Sequence, residues 1–143
     1  MKTAESQSVE ALKVQKENII EMPLGLLGFE EVKKFVLLST PGEEPFQWFQ
    51  VFNDPCLAFL VISPFEVLKE YQPDLSPADV EFLGLKDPAD ALLINIVTLR
   101  ANGTATVNLK GPIVLNRHDL RGKQCILTNA ADYALQHPLP AGA

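Results

Sequence analysis

Hydrophobic and polar residues alternate in short runs along most of this chain, and glycine, proline and asparagine separate the runs. Such spacing is typical of short strands joined by turns. The run from Cys56 to Ser63 is apolar on both faces, which favours a central strand. The pattern predicts strands over residues 18–22, 35–39, 46–52, 56–63, 91–101, 104–109, 113–115 and 124–128.

The best-defined local feature is a hairpin. An aliphatic, β-branched run over residues 91–101 is followed by Asn102-Gly103 and by a second run over residues 104–109. Asn-Gly between two such runs predicts a type I′ turn, because both residues tolerate positive φ. A separate turn, which needs positive φ or close backbone contact, is predicted where Gly25 and Gly28 bracket two leucines.

The helical signals are few and short. Ser76 precedes Pro77, which predicts a capped helix that ends at Gly84, with Asp79 at the capping-box position. Pro64 opens another short helix. The predicted segments are a helical turn at residues 30–34, helices at 65–71 and 77–83, and a terminal helix or extension at 130–136.

These elements predict a mainly β fold in a single domain, a small sandwich or barrel with a few short helices. The domain spans residues 18–138 of the 143, between a flexible N-terminal extension at 1–17 and a flexible C-terminal tail at 139–143. From His137 onward, two prolines and small residues predict no packed element.

Charge is distributed unevenly along the chain. The net charge is −6, but residues 30–90 hold twelve acids against four bases, whereas residues 91–143 hold two acids against five bases. A negative middle argues against direct binding of nucleic acid, which requires lysine and arginine. It suits a basic protein partner, although acidic residues that only keep the domain soluble would give the same composition.

The sequence also predicts the compartment. No apolar run approaches the roughly 20 residues that cross a bilayer, and residues 1–20 lack the apolar core of a secretory signal. Cys56 and Cys125 both sit in apolar, strand-like runs, which favours buried, reduced thiols in a cytoplasmic protein. Spacing alone leaves a disulfide between them open.

Residues that could support catalysis are sparse. His118 and His137 belong to no metal-binding pattern, and the sequence has neither a CxxC motif nor a glycine-rich phosphate loop. We therefore predict no catalytic, metal or cofactor site and no enzyme activity. A Cys–His pair that uses Cys56 or Cys125 with His118 stays open, and with it a small β-barrel hydrolase or lyase.

A binding surface is the stronger prediction. The segment from Phe65 to Asp79 combines four acids and two aromatic residues with a single base, Lys69. Aromatic residues beside charge often anchor protein interfaces. The predicted partner-binding residues are Glu66, Glu70, Tyr71, Asp74 and Asp79.

Taken together, a series of motifs in order resembles the FliW family of flagellar assembly factors. Each motif is weak alone, and the resemblance rests on their order and spacing over about residues 18–138. The motifs are Gly25-Leu26-Leu27-Gly28-Phe29-Glu30, Pro45-Phe46-Gln47-Trp48-Phe49-Gln50, Leu57-Ala58-Phe59-Leu60-Val61 before Pro64-Phe65, Tyr71, Ile94-Asn95-Ile96-Val97-Thr98, the run from Thr106 to Asn116, Gln124 and Tyr133.

The resemblance implies a small antiparallel β-barrel-like single domain with a few short helices, and a regulatory role without catalysis. Members of the family are understood to bind flagellin in the cytoplasm and to bind CsrA, an RNA-binding translational regulator. Binding CsrA relieves its repression of flagellin mRNA, and flagellin competes for the factor. An export chaperone for flagellin that makes no contact with CsrA is the alternative within the same context. Membrane and nucleic acid are not expected as direct partners.

Overall fold

The computed structural model describes residues 19–54 and 56–139. The predicted extension at 1–17 therefore lies outside the described residues, as does the predicted tail apart from Leu139. The described residues form a mainly antiparallel fold of nine strands and two short helices. The strands are β1 (Ile20–Glu21), β2 (Lys34–Ser39), β3 (Phe46–Val51), β4 (Ala58–Ile62), β5 (Ala91–Leu99), β6 (Ala105–Val107), β7 (Ile113–Asn116), β8 (Gly122–Gln124) and β9 (His137–Pro138), and the helices are α1 (Pro64–Val67) and α2 (Pro77–Leu83).

Strand β5 is the branch point of the sheet. The order runs β1-β2-β3-β4-β5 and then divides, since the first half of β5 pairs with β7 and its second half with β6. Strand β7 continues to β8, and a bridge between Glu21 and Arg121 links that end to β1. The sheet curves toward closure through this bridge and not through a continuous ladder. The predicted mainly β, barrel-like single domain is confirmed.

The core lies inside this curved sheet and is filled mainly by aliphatic and aromatic side chains. Phe35 of β2 and Phe49 of β3 are fully buried and stack with their ring centroids 4.4 Å apart. Burial of each such ring contributes about 1.5–3 kcal/mol. A second cluster lies beneath Tyr71, and a third, with Leu83 and Cys125, lies beneath α2.

The long hairpin is confirmed, but its predicted turn type is wrong. Type I′ needs positive φ at Asn102, whereas only Gly103 has it, at 89°. The amide of Gly103 donates to the Arg100 carbonyl, and the Arg100 amide donates to the Thr104 carbonyl. This is a three-residue loop, a type I turn followed by a left-handed glycine. The Asn102 side chain accepts bonds from Thr104 and so prefers the turn with negative φ.

Helix α2 begins and ends as the sequence predicts. The Ser76 hydroxyl accepts the Asp79 amide, and Gly84 takes a left-handed conformation at the end. The capping box is not formed, because the Asp79 carboxylate bonds to Lys123 instead. Helix α1 is one turn instead of the seven residues predicted. Leu68 is already extended, with φ −145° and ψ 102°.

Three further predictions are corrected near the ends of elements. The helical turn predicted at residues 30–34 is not formed, because residues 30–31 close the turn that leads into β2 and Lys34 already belongs to that strand. His137–Pro138 is ordered, since it pairs with β6 along an otherwise free edge. The segment 130–136 holds only a 3-10 turn at Ala130–Asp132, and the predicted strand at 124–128 ends at Gln124.

Candidate protein-binding surface

The predicted acidic segment crosses the outside of the domain between α1 and α2. Glu66, Glu70 and Asp74 are all exposed, and we call these three carboxylates the acidic ridge. Within the described part of the chain, none of the three carboxylates makes a hydrogen bond or an ion pair. Phe65, at 45% exposure, lies beside them. The acidic ridge therefore offers three unpaired negative charges and one aromatic side chain to solvent.

The backbone of the ridge is held by side chains that are distant in sequence. The Asn129 amide group donates to the Gln72 carbonyl (2.9 Å) and accepts the Asp74 amide (3.0 Å). The Tyr133 hydroxyl accepts the Gln72 amide at 2.9 Å. Thr128 donates to the Asp74 carbonyl through both its amide (2.8 Å) and its hydroxyl (3.0 Å). These bonds satisfy an extended segment that has no neighbouring strand, and they fix its path.

Tyr71 lies beneath the ridge and not on its surface. It is 3% exposed, and its hydroxyl donates to the Leu109 carbonyl at 2.7 Å. Its ring packs edge-on against Tyr133 (4.7 Å between centroids) and Phe65 (6.0 Å). Burial raises the pKa of Tyr71 to about 12. Tyr71 therefore anchors the segment to the core. Because its side chain faces inward, Tyr71 is not part of the acidic ridge.

Asp79, the fifth predicted residue, is also buried. It is 4% exposed, and its carboxylate pairs with the Lys123 ammonium on β8. Lys123 also lies 5.8 Å from the centre of the Phe82 ring. This ion pair joins α2 to the sheet. The structure thus brings Glu66, Glu70 and Asp74 together on the surface and uses Asp79 inside the fold.

The basic residues of the last third of the chain are largely engaged by the protein itself. Lys110 donates to the Ala130 carbonyl, and Lys123 pairs with Asp79. The guanidinium of Arg117 donates to backbone carbonyls at residues 89 and 91, and that of Arg121 to the carbonyl at residue 82. Since these cations are directed at internal acceptors, they do not neutralise the carboxylates of the ridge.

The histidine and cysteine residues take part in other arrangements. His118 Nε2 lies 2.8 Å from Asp90 Oδ1, and this bond, with the Lys86 amide, lowers the pKa of Asp90. Cys125 is buried, and burial raises the pKa of its thiol to about 12. Cys56 is exposed in the turn before β4, so the prediction that it is buried is wrong. Both thiols are free.

No cluster of three or more histidine, cysteine, aspartate or glutamate side chains is placed to hold a metal ion in residues 19–54 and 56–139. Over the same ranges, no helix has the length and apolarity needed to cross a membrane. Two shallow depressions, of about 400 and 490 Å³, are lined by mixed polar and apolar residues.

Sequence reasoning missed the side chains that hold the ridge in place. Asn129 and Tyr133 act on residues 57 and 61 positions away, and a single asparagine after a strand gives no sign of such a partner. Tyr133 belongs to the motif series, but the series assigns it no role.

Comparison with known proteins gives one consistent result. A family model described as FliW protein matches residues 3–139. The flagellar assembly factor FliW of Clostridioides difficile is 39% identical over 124 residues, which cover 86% of this chain and 95% of the relative. The FliW of Leptospira biflexa is 38% identical over 117 residues, covering 80% and 76% of the two chains. A crystal structure of the flagellar assembly factor FliW superposes with a TM-score of 0.79, at 36% identity and 91% coverage of both chains.

Proposed function

This chain belongs to the FliW family, and from that membership we propose that it is a cytoplasmic, non-catalytic flagellar assembly factor that binds flagellin and antagonises CsrA. By occupying CsrA it relieves the repression of flagellin mRNA translation, and by binding flagellin it makes that relief depend on how much flagellin awaits export. The relatives that match are named as assembly factors and not as enzymes, which supports a binding role.

The observation that carries the proposal is the acidic ridge. A protein that binds RNA needs basic surface to neutralise phosphates. The ridge presents three exposed carboxylates that have no internal partners. Its backbone is fixed by Asn129, Thr128 and Tyr133, so the ridge is preorganised to complement such a basic surface. When the ridge docks on CsrA, it places negative potential near the RNA path. RNA binding then weakens through direct repulsion or through coupling between the two sites.

Reversing the three ridge charges should weaken the complex with CsrA. We expect the Glu66→Lys, Glu70→Lys, Asp74→Lys variant to bind CsrA at least about tenfold more weakly at low ionic strength, because like charges then face each other. The affinity that remains should also depend less on salt. Titration calorimetry over a series of salt concentrations measures both effects.

A matched control reverses the same number of charges elsewhere. Glu21, Glu31 and Glu81 are exposed, and their replacement by lysine changes the net charge by the same amount. This control should keep most of its affinity for CsrA. If the ridge variant bound CsrA as tightly as the wild type at low salt, the ridge would not be the CsrA site.

The second expectation concerns competition. Flagellin in excess should displace CsrA, because the proposed circuit requires one partner to exclude the other. Size-exclusion chromatography of the three purified proteins, with flagellin raised stepwise, measures the displacement. A stable ternary complex would contradict exclusion. If the protein bound flagellin but not CsrA, the result would instead support the alternative of an export chaperone for flagellin.

A further inference from the structure

A second surface, unrelated to the acidic residues, exposes large apolar side chains. Leu24, Leu27 and Phe29 lie on the loop after β1 and are 51%, 69% and 39% exposed. Ile126, just after β8, is 59% exposed. We call these four side chains the apolar loop surface. The sequence pattern predicts a turn between the two glycines of this loop but no binding surface on it.

The loop is rigidly built. The Gly25 amide donates to the Met22 carbonyl at 2.9 Å, and the Phe29 amide donates to the Leu26 carbonyl at 2.7 Å. The Lys33 ammonium donates to carbonyls of the loop at 3.0 and 2.6 Å. The exposed leucines and phenylalanine are therefore held in place by backbone bonds and by Lys33.

Gln124 ties the loop to the segment that carries Ile126. Its side-chain oxygen accepts the Leu27 amide at 3.0 Å, and its amide nitrogen donates to the Gly111 carbonyl at 3.5 Å. Residues two apart in an extended segment point to the same face. Cys125 and Leu127 are buried on the opposite face. Because the Gln124 side chain bonds to the loop, the Ile126 side chain lies on the face of the segment that contacts the loop.

The largest exposed apolar patch on a monomer is often functional, and a patch that is already rigid loses little conformational entropy on binding. The four side chains expose on the order of 400 Å². That area falls below the roughly 800 Å² that each partner contributes to a standard stable interface. The four side chains thus supply about half of the face that a stable dimer of this chain would need, and their area suits one face of a short helix.

The hydrogen bonds of the loop backbone also limit the secondary structure that a bound segment can have. The amides of Gly25, Leu27, Gly28 and Phe29 already have acceptors, so this part of the loop has few free donors for pairing with an added strand. Recognition must then use side chains, which favours a segment whose own backbone is satisfied, namely an amphipathic helix.

Local charge distinguishes this surface from the acidic ridge. Three carboxylates near the loop, those of Glu21, Glu30 and Glu31, stand against the ammonium groups of Lys33 and Lys34, and Lys34 pairs with Glu21. The loop therefore has an excess of about one negative charge, fewer than the three unpaired carboxylates of the acidic ridge. We propose that the apolar loop surface binds the apolar face of an amphipathic helix of flagellin. This assignment rests on the proposed function, which names two partners, CsrA and flagellin. The acidic ridge suits CsrA, the basic partner, and the apolar loop surface is therefore assigned to flagellin.

The two surfaces are held to neighbouring points of the segment between β6 and β7. Tyr71, beneath the ridge, bonds to the Leu109 carbonyl, and Gln124, beneath the loop, bonds to the Gly111 carbonyl. Leu109 and Gly111 are two residues apart, so their Cα atoms lie at most about 7 Å from each other. The anchors of the two surfaces are therefore neighbours, and a protein docked on one surface would obstruct the other, although the two partners contact different residues.

The test compares two double variants matched in exposure. Leu27→Ser with Ile126→Ser removes two members of the surface, and Leu99→Ser with Leu135→Ser removes two leucines that are 69% and 56% exposed elsewhere. We expect the first variant to bind purified flagellin at least about tenfold more weakly, and the second to bind within about twofold of wild type. Flagellin affinity of the wild type should change little between about 50 and 500 mM salt. CsrA affinity of both variants should be retained.

Each outcome has a defined meaning. If the Leu27/Ile126 variant binds flagellin as the wild type does, the inference is overturned while the proposed function stands. Loss of CsrA binding alone, or loss of self-association alone, also overturns it, because another occupant would then use the surface. A wild-type protein that binds no flagellin defeats the proposed function itself. Thermal unfolding checks that each variant is folded, and Leu24→Ser repeats the test if the double variant is not.

Discussion

Replacing Lys123 with methionine is expected to lower the free energy of unfolding by about 3–5 kcal/mol. The side chain of Asp79 is only 6% exposed, and Lys123 is its ion-pair partner. Removing the ammonium leaves a carboxylate buried without a compensating charge. Urea denaturation at neutral pH, monitored by fluorescence of the single tryptophan, measures the loss.

Two comparisons isolate the cause of that loss. Replacing both partners, Asp79→Leu with Lys123→Met, should recover most of the stability, because an apolar pair of similar volume needs no compensation. Lys34→Met removes the cation of an exposed pair with Glu21, 3.8 Å apart, and should cost at most about 1 kcal/mol. A loss below about 1 kcal/mol for Lys123→Met would mean that water reaches Asp79 and that the pair does not fasten α2 to the sheet.

Gly25→Ala is expected to be the other strongly destabilising change, by about 2–5 kcal/mol. Gly25 has φ +66°, and an added Cβ would lie 2.6 Å from both the Glu30 Cα and the Phe29 carbonyl oxygen. Those are backbone atoms, so no side-chain rotation relieves the contact. The loop must shift, and flagellin binding should weaken although no exposed apolar side chain has been removed. Thermal unfolding and flagellin titration of the same variant measure both consequences.

Gly28→Ala is the matched control for Gly25→Ala. Gly28 also has positive φ, at 87°, but an added Cβ there meets nothing within 4 Å. Gly28→Ala should therefore lower the free energy of unfolding only by the cost of placing alanine at positive φ, about 1–2 kcal/mol. Equal losses at the two glycines would show that positive φ alone, and not the close backbone approach, decides the effect.

The strands could be predicted because their signals are local. Alternation of residue types and the Asn-Gly hairpin located β2 to β7 to within a few residues, and Ser76 and Gly84 located both ends of α2. The length of α1 could not be predicted this way. Residues 65–71 have an acceptable helical pattern, but a continued helix would compete with the bond between Tyr71 and the Leu109 carbonyl, a contact 38 residues away.

The candidate site was predictable in composition but not in orientation. Acidic residues at 66, 70, 74 and 79 are equivalent in a charge count, yet only the first three face solvent. Asp79 differs from the others because it pairs with Lys123, which lies 44 residues further along the chain, and no local sequence pattern indicates that partner. The apolar loop surface was missed for a related reason. A leucine in the sequence is expected to be buried, and only the surrounding structure shows that Leu27 is not.

The way the ridge backbone is held has a consequence for how this protein can change over generations. The bonds that fix the segment come from Asn129, Thr128 and Tyr133 and end on main-chain atoms of residues 72 and 74. The carboxylates of Glu66, Glu70 and Asp74 contribute none of them. Substitutions at these three positions can therefore accumulate with little effect on folding. The chain can follow sequence drift in its partner by exchanging surface charges while its architecture stays the same.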